Sequence, residues 1–375
     1  MILTWVVFFV QLVLLSMFKS LVNEFDVVVV CIIGVTSIFL LFRIFRCPRK
    51  AQPYILAGYL FRLFVLFFDV YGRHFFLVPH SGIDSEGFLH SALLIATNPD
   101  LLGQRVYGGF YSKFLGLVYM LIVPERLLGQ FFNVLFGMSI IFIVYRTLKK
   151  LNVDFRVQSV VMTMVSLFPH SVIFSSILLR ESIITMLVAA STYYMIEWSL
   201  TTNFVDALLA VVFLLMGSAF HAGIIGLLVG YTFMFMFYNP KTSLFSFRAR
   251  TVLAFGLMML FGIVVYSQFG HVFLAKFESI ENMSTIYNVA SSRRGGSAYL
   301  TSLQINSIGQ LLIYTPIKML YFLIVPLPHH WRGVSDIIAF VLDAVVYLYF
   351  LILVLRNRRI VTDTPLGSCV IKFAI

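Results

Sequence analysis

Apolar residues in this chain come in long runs with short polar stretches between them, without the two-residue alternation of a half-buried strand. A helix crossing a bilayer takes roughly 20 mostly apolar residues. Runs approaching that length fall at 2–18, 27–42, 54–70, 127–145, 157–178, 183–198, 207–220, 222–237, 252–268 and 337–355. Two further stretches differ from these. The stretch 110–123 is short and holds Lys113, which fits a helix lying in the membrane interface. The stretch 305–325 is long enough to cross but carries Pro316 and Lys318, which fits an interfacial or re-entrant helix. The pattern predicts an all-α polytopic membrane protein of ten or eleven transmembrane helices, forming a single integral membrane helical domain over 1–375. The first run has no basic stretch before it and no small-residue cleavage site after it, so it reads as a retained span.

Composition agrees: 60% of the residues are hydrophobic, only 11% are charged, and the mean hydropathy is +0.96. Charged residues make up about a quarter of an ordinary soluble domain, so most of this surface must face lipid. The net charge of +11 at first suggests a nucleic-acid partner. The basic residues argue against one, because they sit in short clusters between apolar runs, as the positive-inside rule requires. The clusters are Arg43/Arg46/Arg49/Lys50, Arg146/Lys149/Lys150/Arg156, Lys241/Arg248/Arg250 and Arg356/Arg358/Arg359. All four can face the cytoplasm only if an even number of spans separates each from the next, and the ten runs give two, four and two. The N-terminus is then cytoplasmic. The longest polar connections, 71–107, 270–299 and 326–335, fall together on the outer side. Cys31, Cys47 and Cys369 have no metal-ligand spacing and imply no disulfide framework.

Chemistry, if present, therefore belongs to the outer connections. The first places Asp84 and Glu86 two positions apart in a glycine-bordered loop, with His80 and His90 nearby. Such a pair can share a divalent cation, or one acid can act as general base towards a hydroxyl; an ordinary solvated loop is the plain alternative. Arg180 and Glu181 stand at the turn between two runs. The planar fork of Arg180 suits a phosphate, or it forms a salt bridge to Glu181 or another acid that closes a helical hairpin. His221 lies at another turn and is either a phosphate ligand or proton carrier, or a hydrogen-bonded hairpin residue. Arg293 and Arg294 precede two glycines on the outer side, against the positive-inside trend, and can cradle an anionic headgroup. Ordinary lipid headgroups are the other reading of that patch. His329, His330, Trp331 and Arg332 combine interface anchors with weak candidate ligands. Arg62 and Asp69 lie within the third run, about two turns apart and too far for a direct pair; Arg62 needs a partner inside the bundle.

Acids, arginines and histidines from distant connections thus meet on one face. A lipid-tailed, phosphorylated substrate fits that arrangement, with its tail between helices and its phosphate on arginine. Several strings carry a resemblance to a known group: Asp84–Ser85–Glu86 in a long first outer loop; the stretch 107–116, beginning Tyr107–Gly108–Gly109; the span from Arg126 through Asn133 to Arg146; Pro169, Ser175, Arg180 and Glu181; and Pro326, Pro328, Trp331 and Arg332. Over about residues 55–335 the chain resembles bacterial membrane glycosyltransferases of the GT-C superfamily, especially the small proteins of polysaccharide gene clusters, including repeat-unit polymerases of the Wzy type. The resemblance implies a GT-C-like bundle with catalytic outer loops in the bacterial cytoplasmic (inner) membrane. It implies a polyprenyl-linked sugar or oligosaccharide as substrate and other polysaccharide-assembly proteins as partners. It also implies Asp84 as base, with Glu86 as helper or divalent-cation ligand. Arg180, Arg293, Arg294 and His221 are the candidates for lipid-phosphate binding, and His90, Glu181, His330 and Arg332 are accessory candidates. The large C-terminal extramembrane domain of some members of the superfamily is missing, which leaves the acceptor undefined. A flippase or transporter of lipid-linked glycans is the rival reading. It predicts polar residues along a path through the bilayer and internal repeats, whereas the ionisable residues gather on one side and no repeat is evident.

Overall fold

The computed structural model describes residues 1–21 and 24–239, together with 244–245, 256, 300, 303, 307–325, 327–331, 333, 336–337 and 340–356. The protein is an all-α membrane protein; besides helices and connections, the described residues hold only a two-residue antiparallel ladder, Tyr238–Asn239 with Leu244–Phe245. Two compact units are present, Met1–Thr232 and Phe233–Ile375.

The first unit contains α1 (Ile2–Met17), α2 (Phe25–Ile44), α3 (Gln52–Tyr71), α4 (Ile83–Thr97), α5 (Phe110–Leu121), α6 (Arg126–Lys150), α7 (Phe155–Leu167), α8 (Pro169–Phe174), α9 (Glu181–Thr201) and α10 (Phe204–Phe220), and most of α11 (Ile225–Phe237). Among the described residues, α2, α3, α6 and α9 are long and apolar enough to cross a membrane; α1, α5, α7, α10 and α11 are shorter apolar helices.

Burial separates the roles of the helices. The central window of α6 is 83% buried, against 33% in α2 and α3. Helix α6 is therefore the axis around which the others pack. The outer helices turn apolar side chains such as Phe42, Leu60, Phe61 and Phe64 away from the protein, as helices do when lipid is the solvent. Aromatic contacts tie α1 to this axis: Phe8 packs edge-on against Phe131 and Phe132, and the Trp5 indole N–H donates to Ser139 Oγ (3.1 Å).

The unit has two chemically distinct ends. At one, the Met1 amino group lies within electrostatic reach of Arg43 and Arg46. There too Arg43 caps the Phe142 ring, Lys50 faces the Phe155 ring, Arg146 faces the Tyr193 ring, and Lys150 pairs with Glu197 (2.5 Å). The first two basic clusters of the sequence therefore share one end. At the other end, Ser16 donates to the Leu121 carbonyl (2.9 Å), and Asp69 meets Arg126. Phe110, at the start of α5, packs on Phe220, at the end of α10.

The expected span 157–178 is not one helix. Helix α7 starts at an Asp154 N-cap, whose carboxylate accepts from the Arg156 N–H, and ends at Leu167. Pro169 is the cause: it has no N–H to donate and pushes the residue before it out of helical geometry, and Phe168 sits at φ −59°, ψ 121°. The short α8 follows, then an irregular stretch to Arg180. Breaking a helix leaves carbonyls without partners, and Arg62 meets them. Its fully buried guanidinium donates to the carbonyls of Ser166 (2.7 Å) and Gly58 (2.9 Å), and to Ser175 Oγ (2.8 Å) and Ser171 Oγ (2.9 Å). The interior partners missing from the sequence reading are thus neutral oxygens around the break. Gly58 lets α3 approach closely here, because a Cβ would collide with the Ser166 carbonyl.

In the second unit, the stretch 305–325 forms α12 (Ile308–Ile324), which starts at a Ser307 cap and contains Pro316. The run 337–355 appears as a π-helical turn, Phe340–Ala344, followed by α13 (Val345–Arg356). Apart from Gly256, the run at 252–268 lies outside the described residues, as does the loop 270–299.

Candidate functional site

Four charged side chains from three helices and a loop converge at the end of the first unit opposite the basic clusters. Asp69, near the end of α3, is fully buried. Its Oδ2 accepts from Arg126 (3.0 Å), the first residue of α6, and from Gln130 (2.6 Å), one turn further on. The same guanidinium reaches Ser81 Oγ and Ser85 Oγ (3.2 Å each) and Glu86 Oε1 (2.6 Å). Arg73, in the loop after α3, closes the ring by pairing with Glu86 Oε1 (2.5 Å) and donating to the Ser81 carbonyl (2.9 Å). Burial alone would raise the Glu86 pKa. The hydrogen bond and charge of Arg126, then those of Arg73, outweigh burial and hold the carboxyl below its ordinary range. Arg126 thus clamps the start of α4 to α3 and α6.

The two acids are therefore not on a flexible loop, as the sequence suggests. Both occupy the first turn of α4, where a helix N-terminus favours negative charge. Their roles diverge. Glu86 is held by two arginines, while Asp84 is exposed and accepts a hydrogen bond from the Tyr107 hydroxyl. That bond, then burial, raises the Tyr107 pKa, and the nearby charge of Arg180 opposes the rise.

Arg180 lies over the Phe88 ring, 5.9 Å from its centroid, and its Nε is 3.9 Å from Glu181 Oε1. The two residues thus form a long ion pair, beyond hydrogen-bond range. The stretch leading to Arg180 is fixed from beneath by Asn133, whose amide donates to the carbonyls of Ile177 (2.6 Å) and Leu179 (2.7 Å) and to the Tyr111 hydroxyl (3.1 Å). His80 completes the group. Its φ of 67° is in the left-handed region, where few non-glycine residues settle. Its ring meets Phe174 edge-on at 5.1 Å and lies 6.4 Å from the His170 ring. Burial and the neighbouring His170 lower its pKa, against the opposing charges of Glu181 and Asp84. Asp84, Tyr107, Phe88, Arg180, Glu181, His80 and His170 thus form one neighbourhood.

The remaining candidates fall elsewhere. His90 is exposed on α4, six residues beyond Asp84 and on a different helical face. His221 caps the end of α10, and its Nδ1 accepts from the Gly223 N–H (3.1 Å), as a hairpin histidine does. In the second unit, His330 Nε2 lies 2.9 Å from the Tyr321 hydroxyl. Arg293, Arg294 and Arg332 lie outside the described residues. Among the described residues, no group of three or more His, Cys, Asp or Glu side chains is arranged to hold a metal ion. The arginines on Glu86 leave the Asp84/Glu86 pair poorly suited to sharing a cation.

Sequence reasoning does not single out Arg73, Tyr107, Gln130 or Asn133 as members of this site. One signal for two of them is visible in the sequence: Arg126, Gln130, Asn133 and Gly137 form a polar or small stripe at helical spacing in an otherwise apolar run. Nothing in the sequence ties Tyr107 to Asp84. In comparisons with known proteins, no family model matches this chain, and no curated protein or solved structure matches it significantly.

Proposed function

We propose that this chain is a multi-pass membrane glycosyltransferase. It takes a sugar or oligosaccharide from a polyprenyl-linked donor and acts in cell-surface polysaccharide assembly at the outer face of a bacterial cytoplasmic membrane, as a repeat-unit polymerase or a close relative with a GT-C-like bundle. The observation that carries the reading is Asp84. It is an exposed carboxylate on a clamped helix turn, already accepting a hydrogen bond from a hydroxyl, and it shares a neighbourhood with Arg180 at the end away from the basic clusters. In the reaction, the acceptor hydroxyl gives its proton to the Asp84 carboxylate while its oxygen bonds to the anomeric carbon of the donor. The bond from that carbon to the lipid phosphate oxygen breaks, and the phosphate leaves with the electron pair. Arg180 stabilises the charge that builds on the leaving phosphate. Glu86 acts through Arg126 by holding the α4 turn.

Deleting the gene and fractionating lipid-linked glycans tests the reading. The expected result is loss or shortening of the surface glycan, with the unused donor accumulating on the outer leaflet and the wild-type gene restoring both. Accumulation confined to the inner leaflet would instead show a translocation fault and a transporter.

A further inference from the structure

Tyr107 holds a place that a substrate has to occupy. Its hydroxyl donates to Asp84 as an acceptor hydroxyl must before losing its proton. Its ring lies against Gly87, where any Cβ would collide with Cε1, Cδ1 and Cζ, and 5.6 Å from the Phe88 ring. With no side chain at 87, the Tyr107 ring itself occupies the space over Gly87 beside the carboxylate, and we call that ring-filled space the slot. The chain leaves Tyr107 through Gly108 (φ 79°) and Gly109 (φ 57°), two successive left-handed positions that glycine adopts without strain. Tyr107 is 49% exposed, whereas Tyr111, one turn on, is fully buried and bonded to Asn133. Tyr107 can therefore move without opening the core. Phe88 also carries Arg180, so a single ring connects the slot with the guanidinium that meets the donor phosphate.

We infer that the slot bounded by Gly87, Phe88 and Asp84 is the acceptor subsite for a hydroxyl-bearing sugar ring, with the Tyr107 phenol as its built-in occupant. The inference rests on Asp84 being the base. The half-exposed Tyr107 side chain rotates away as the acceptor enters, the acceptor hydroxyl replaces the phenol on the carboxylate, and the apolar face of the sugar lies on Phe88.

The test uses the full chain in lipid nanodiscs and a water-soluble carbodiimide with glycine ethyl ester, reading Asp84 modification by peptide mass spectrometry. Tyr107→Phe and Gly87→Ala are expected to raise Asp84 labelling at least threefold, while labelling of the exposed Asp100 stays constant. In cells, Gly87→Leu fills the slot and is expected to abolish glycan production even though its Asp84 is released from the phenol. Unchanged Asp84 labelling in both of the first two variants, or normal glycan from Gly87→Leu, overturns the inference and leaves the role of Asp84 standing. Normal glycan from Asp84→Asn overturns the reading beneath it, whatever the labelling shows.

Discussion

Asp84→Asn is expected to lower glycan transfer about 10²–10⁴-fold, the usual contribution of a general base, while the protein accumulates to wild-type levels. The two outcomes separate because Asp84 is exposed and its bond is to a neutral hydroxyl. An asparagine oxygen can still accept that bond but cannot take a proton. Removing one negative charge from a helix N-terminus costs only about 0.3–1 kcal/mol. Glu86→Gln should behave in the opposite sense: it weakens the grip of Arg73 and Arg126 on α4, so its effect on transfer comes with lost stability. Glycan yield, normalised to protein in the membrane by immunoblot, reads both variants in the deletion strain. Wild-type yield from Asp84→Asn would remove the residue from the chemistry.

Arg62→Ala is expected to destabilise the protein by at least about 1–3 kcal/mol, the cost of leaving a buried acceptor without a donor. The guanidinium is fully buried and serves four acceptors, three of them on the two sides of the α7–α8 break and the fourth the Gly58 carbonyl of its own helix. Alanine leaves the Ser166 carbonyl unpaired beside a new cavity, and buried unsatisfied acceptors cost about 1–3 kcal/mol each. Arg62→Lys should recover part of the loss, because one ammonium cannot reproduce a planar fork that meets four oxygens. Thermal unfolding of the purified protein in detergent, followed by size-exclusion chromatography, gives the ranking wild type, lysine, alanine. An alanine variant as heat-resistant as the wild type would show that the break is held by something else. Because the stretch after the break leads to Arg180, the alanine variant should lose transfer as well as stability.

Helices were the most legible part of this chain. Apolar run length alone locates α1, α2, α3, α6, α9 and α10 to within a few residues, because the lipid-facing and core-facing sides of these helices are both apolar. The same uniformity hides the break at Pro169: 157–178 is apolar throughout, and composition cannot show that its carbonyls are met by an arginine a hundred residues earlier. Helix α4 was hidden for the opposite reason. Its start is polar and glycine-flanked like a loop, yet its acids suit a helix N-terminus, and Arg126 and Arg73 anchor that first turn through Glu86. For the site, scarcity of charge pointed to Asp84, Glu86 and Arg180. It could not divide the acids into one held by arginines and one facing a hydroxyl, since that depends on Arg73, Arg126 and Tyr107 arriving from other elements.

Everything proposed for this protein requires the acidic end of the bundle and the basic clusters to lie on opposite sides of the membrane. After Cys31, Cys47 and Cys369 are replaced by alanine, Asp84→Cys, Ser292→Cys and Lys149→Cys can each be probed in intact spheroplasts with a membrane-impermeant maleimide. Residues 84 and 292 should label from outside, and residue 149 only after the membrane is opened. Labelling of 84 and 149 from the same side, or of 84 and 292 from opposite sides, would contradict the account.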